Sequence, residues 1–148
     1  MGRRRFFHLL VSPTTNIEWL NSEYNLISYF LKNPILQQLT PLRKLLSATR
    51  DIEKICRQLS VKRLYPSSLY YLHYTLGITQ SIYAMFEEDA ILQDSFYFSP
   101  QHTILQQCNE VTDFLNTCFH INECQTVHSL TNFDVYFIKQ GINEHLDK

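Results

Sequence analysis

The 148-residue chain carries 13 Lys+Arg against 14 Asp+Glu, a formal net charge of −1 with His neutral, and 45% of its residues are hydrophobic. That length and apolar share fit a single domain of 1–148 with a sizeable core, and they exclude a disordered chain. The charge balance excludes a basic nucleic-acid arm or polybasic anchor spread over the whole domain. No run approaches the roughly 18 apolar residues that a membrane-spanning helix needs.

In chain order, helix periodicity first covers Gly2 to Val11 and stops before Ser12-Pro13. Thr15 and Glu18 have capping-box spacing, which predicts Thr15 as the cap of the next helix. That helix carries Ile17, Leu20, Tyr24, Ile27 and Leu31 on one stripe and should end at Asn33-Pro34. Residues 34–46 read as one or two short helices interrupted near Thr40-Pro41. Asp51 is placed to cap a helix with Ile52, Ile55, Cys56 and Leu59 on one face. Pro66-Ser67-Ser68 opens a longer helix to about Phe86, with Leu69, Leu72, Leu76, Tyr83 and Phe86 inward. Glu87-Glu88-Asp89 reads as a solvated acidic patch. Ser99-Pro100 starts another long helix, with Ile104, Cys108, Val111, Leu115 and Cys118 inward. After Glu123 the chain turns polar. Residues 135–138 form a short β-prone run, and Gly141 makes a turn. The expected fold is therefore all-α and bundle-like, with a short extended segment near the C-terminus. Its core should include Ile27, Ile55, Leu59, Leu72 and Leu115.

Few residues invite chemistry. The three glycines, Gly2, Gly77 and Gly141, are dispersed, and no phosphate-cradling glycine loop or P-loop pattern exists. The four cysteines contain no C-x-x-C pair, and they read as reduced, small hydrophobes of an intracellular protein. Cys118, His120 and Cys124 lie near one another in sequence, but zinc asks for about four converging ligands, so packing and surface roles are the better account. Ser12, Ser68 and Ser99 sit beside prolines as helix caps without a catalytic partner. Arg3, Arg4 and Arg5 form the only basic run; they are the one candidate contact, a weak one to DNA phosphates, set against solvation and internal pairing. Most aromatics fall on the apolar stripes, although among Tyr70, Tyr71 and Tyr74 at least one should be exposed. Catalytic, cofactor-binding and metal-binding residues are expected to be absent.

Four segments together resemble one family. Gly2, Arg4, Phe6, Leu9-Leu10 and Pro13, followed by Asn16, match the G-x-R-x-L-x-x-W-L-x-x-P segment that opens the core, or lever, domain of MutS mismatch-recognition proteins. Asp51-Ile52-Glu53-Lys54-Ile55 and Arg57 resemble D-L-E-R-x-x-x-R, with Arg57 one place ahead of its last Arg. Pro66, Leu69 and Leu72 resemble P-x-D-L-x-x-L. Ile138, Gly141, Ile142, Leu146 and Asp147 resemble the I-x-x-G-Y-x-x-x-L-D stretch before the helices that lead to the DNA clamp. Leu9 in place of Trp, Glu23 and Lys54 in place of Arg, and Ile142 in place of Tyr mark a divergent member. The resemblance implies the first half of a helical lever, without clamp or ATPase domain. The parent would be an ATP- and Mg-dependent, dimeric protein that meets mismatched duplex DNA. This segment would be non-enzymatic and take the parent's other domains as partners, with no membrane. The competing expectation is an independent helical adaptor that binds a partner protein.

Overall fold

A computed structural model describes residues 2–87, 89–92, 101–131, 134–142 and 147; for residues 5, 33–38 and 101–103 it describes backbone alone. Among the described residues, helices follow in order: α1 (Gly2–Val11), α2 (Ile17–Phe30), α3 (Asn33–Ala48), α4 (Ile52–Ser60), α5 (Pro66–Glu87), α6 (Gln101–Cys118) and α7 (Ile121–Cys124). The fold is all-α, as the periodicity predicts. The chain divides into two compact units. One holds Met1–Ala48 and Ile82–Ser99, the other Thr49–Ser81 and Pro100–Lys148.

In the first unit, α2 packs against α3. Its cap is Asn16, not Thr15. The Asn16 side chain accepts from Trp19 N at 3.0 Å, and Asn16 N donates to Thr14 Oγ1 at 3.2 Å. A short amide side chain reaches the third N–H of the helix, and Glu18, now one place too early for a reciprocal bond, serves only the helix dipole. The helix ends at Phe30, and Pro34 falls in the first turn of α3, where a missing N–H costs nothing. The expected interruption at Pro41 is absent. Pro41 lies inside a continuous α3 and deprives it of one hydrogen bond.

The stripe drawn on α2 does not face inward. Ile17, Tyr24, Ile27 and Leu31 are all more than half exposed, while Leu20, Glu23, Leu26 and Phe30 are half-buried. The covered face is rotated by roughly a quarter turn from the apolar one, given 3.6 residues per turn. Ile27 is thus not a core residue. On α1, Phe6, Phe7, Leu10 and Val11 are each about two-thirds exposed. Among the described residues of this unit, only Leu92 is buried.

The second unit has a core made of Ile55, Leu76, Ile78, Cys108, Leu115, Cys118, Cys124 and Val127. Asp51 caps α4 as expected, accepting from Lys54 N at 3.1 Å. Only Ile55 of the α4 stripe is buried. Leu59, in the last turn, is exposed, and the inward positions are Ile52, Ile55 and Gln58. Leu72 is half-buried, and Leu76 takes the buried place one turn on. The chain leaves α4 through Lys62 at φ 55, with Lys62 N bonding Leu59 O and Arg63 N bonding Gln58 O, both at 2.9 Å. This is the pattern that usually ends in glycine.

The start of α5 is buried and tied across the sequence. Ser67 N donates to Val127 O at 3.1 Å, which satisfies an N–H of the first turn, and Ser67 Oγ lies 3.0 Å from His128 Nδ1. Thr75, 1% exposed, donates to Tyr71 O and accepts from Arg50 N. The predicted extended segment is a single antiparallel bridge, Phe119 to Ile138, flanked by His120 N to Phe137 O and Lys139 N to Cys118 O. Gly141, at φ 85, makes the expected turn, and its N–H donates to Asp147 Oδ2.

Candidate functional site

The arginines come first. Arg3 and Arg4 are exposed on α1; with Phe7, His8, Val11 and Ser12 they line a shallow groove along the helix. The Arg5 side chain lies outside the described residues. The arrangement presents cations beside apolar side chains on one short helix, without a deep site.

The acidic patch resolves differently from the expectation. Glu87 is exposed and Glu88 lies outside the described residues, but Asp89 is engaged. Tyr29 Oη donates to Asp89 Oδ2 at 2.5 Å, while Asp89 Oδ1 accepts from Ile91 N at 3.0 Å and Leu92 N at 3.1 Å. The carboxylate ties α2 to the turn that buries Leu92. The Tyr29 bond holds the Asp89 carboxyl below its ordinary value, with help from the two backbone N–H groups; the same bond raises the Tyr29 phenol. The bond ties Tyr29 of α2 to residues 89–92 across 60 positions of sequence.

Cys108, Cys118 and Cys124 are buried and free, and Cys56 is free and exposed. Burial pushes the Cys124 thiol up to about 11 and raises Cys108 as well. Such thiols pack and do not attack. His120 precedes α7 as its N-cap residue and makes no side-chain cap bond. Among the described residues, no group of three His, Cys, Asp or Glu side chains is arranged to hold a metal. Of the serines read as caps, Ser12 follows α1 with its N–H on His8 O, Ser68 lies within the first turn of α5, and Ser99 is outside the described residues.

Sequence reasoning missed an open groove of mixed chemistry among the described residues. It lies in the second unit, has a volume of about 660 Å³, and is lined from α5 by Tyr70, His73 and Tyr74. The end of α6, the α7 turn and the C-terminal stretch add Phe119, His120, Glu123 and Lys139. Helical spacing of four sets the Tyr70 and Tyr74 rings parallel, 5° apart in plane and 6.3 Å between centroids. Tyr71 meets Tyr70 edge-on at 5.5 Å, and the Arg50 guanidinium sits 4.7 Å over Tyr71. Lys139 Nζ donates to Asn116 O at 2.5 Å. The tyrosine spacing was the only sequence signal for this groove, and the exposed ring it called for is Tyr74.

No family model matches the chain, and no solved structure matches it. Over 87 residues, 59% of the chain, it is 34% identical to the DNA mismatch repair protein MutS of Rickettsia prowazekii, and equally so to that of Rickettsia typhi. MutS of Rickettsia africae is 32% identical over 85 residues. The chain therefore contains a stretch similar to part of MutS. It spans about a tenth of the length of these relatives. Among the described residues, no helix is long and apolar enough to cross a membrane.

Proposed function

We propose that the chain is a non-enzymatic lever segment of a MutS-like protein that couples DNA-binding parts to an ATPase. Two observations support this reading: the similarity to MutS, and the apolar faces that α1 and α2 turn outward. The second carries the mechanical part. Phe6, Phe7, Leu10, Ile27 and Leu31 expose surface that water disfavours, so the reading has helices from later in the parent polypeptide cover it. Stiff helices clamped this way move as a body and pass a displacement from one end to the other.

On this reading ATP and Mg bind elsewhere in the parent, and mismatched DNA is met through the parent, in an intracellular dimer. The chain alone should neither bind nor hydrolyse ATP, because it has no P-loop. Its contact with duplex DNA should be weak and blind to mismatches. Amide exchange on α2, measured in this chain and in the longer polypeptide that the reading requires, tests the proposal. Protection of α2 that rises at least tenfold in the longer polypeptide supports it. Equal protection in both favours the independent adaptor, for which the same exposed face would be a docking surface for another protein.

A further inference from the structure

The groove beside Tyr74 is independent of the lever reading, since it belongs wholly to the second unit. We propose that it is a stacking site for one unpaired base of single-stranded nucleic acid. The Tyr74 ring is preset in orientation by Tyr70, yet 47% of the residue stays exposed, so a planar ring can continue the stack without first ordering the tyrosine. Around that ring the groove supplies what a base edge reads. The Glu123 carboxylate and the Asn122 amide accept from an exocyclic amine, and His73 and His120 offer ring nitrogens. Lys139 is anchored by the Asn116 carbonyl and keeps two further N–H donors for a neighbouring phosphate. The volume of about 660 Å³ accommodates a nucleotide. A paired duplex is excluded by the same chemistry, because its base faces are already covered by neighbouring bases. The groove lining holds one lysine, Lys139, and one carboxylate, Glu123, so stacking contributes more to the affinity than phosphate attraction.

Fluorescence anisotropy with labelled ten-nucleotide dC, dA and dT strands, and with a duplex of the same length, tests this on the full chain at low salt. Single strands should bind at least about tenfold more tightly than duplex, with dC and dA ahead of dT. The salt slope should be near −0.7, the value for about one phosphate. Tyr74→Ala should weaken binding by about fivefold or more, whereas Tyr74→Phe, which keeps the ring, should match the parent. Tyr24→Ala, at an exposed ring on α2, should change nothing. Circular dichroism confirms that each variant is folded. The proposal is overturned if no single strand binds, if a folded Tyr74→Ala variant binds as tightly as its parent, or if duplex binds equally well. It is also overturned if affinity follows Arg3→Ala and Arg4→Ala instead, with a steep salt dependence.

Discussion

The two units are built from similar helices but bury them differently. In the unit of α4, α6, α7 and the first part of α5, the inward positions hold Leu76, Leu115, Cys118 and Val127, and water is shut out. In the unit of α1 to α3, the more apolar face of α2 is the exposed one, and Leu92 is the single buried side chain among the described residues. An amphipathic pattern states which face of a helix is apolar. It does not state whether the covering partner lies in the same chain. The second unit buries its apolar positions against one another, whereas the first leaves the apolar face of α2 exposed.

Truncations should break along that line. Leu115→Ala, at a residue 3% exposed, should cost about 2–5 kcal/mol in denaturant unfolding, because it leaves a cavity in a packed core. Ile27→Ala, the same kind of change on α2, should stay within roughly 0.5 kcal/mol in the isolated chain. A large loss at Ile27 would mean that this face is covered already. Asp51→Ala should cost about 1 kcal/mol by removing the α4 cap. Lys62→Gly should stabilise by about 0.5–1 kcal/mol, since glycine accepts the positive φ at little steric cost.

The Tyr29–Asp89 bond sharpens the comparison through pH. The folded Asp89 value lies below its ordinary 3.8, so this contribution is present above that value and is lost as pH falls through the lowered one. The folded Tyr29 value lies above its ordinary 10.0, so the bond is intact below that and is lost as pH rises through the raised one. Both residues are only half-buried, so solvent screens the pair and the effect on stability is small. It should show as loosening of the first unit in acid, followed by amide chemical shifts of Ile91 and Leu92. Tyr29→Phe should move the acid transition of those shifts upward; an unmoved transition would show that the tyrosine bond does not hold Asp89 ionised. Thiol labelling at neutral pH gives a further check, with Cys56 reacting quickly and Cys124 last.

Much of the fold was legible because local rules decided it. Asp51 and Pro66 mark helix starts by local geometry, and the heptad-like apolar spacing from Ile104 to Cys118 predicts the helix found over residues 101–118. Local rules failed where packing intervened. Pro41 stays inside α3, and Asn16 displaces Thr15 as cap by a shift of one residue. Asp89 reads as solvated in the sequence because its partner, Tyr29, lies 60 residues away. The buried start of α5, fastened by Val127 and His128, was hidden for the same reason. The Tyr74 groove draws on α5, α6, α7 and Lys139, and only its tyrosine spacing could be seen in advance. The arginine run is legible as a charge cluster, but nothing in its sequence reveals that Arg3 and Arg4 line a shallow groove.

Native-state amide exchange on the isolated chain tests most directly whether one unit is self-sufficient and the other is not. The account predicts that amides of Leu76, Ile78 and Leu115 exchange only through global unfolding, while those of Leu26, Ile27 and Phe30 exchange through local opening at least a hundredfold faster (about 2.7 kcal/mol). Equal protection across α2 and α6 would contradict it.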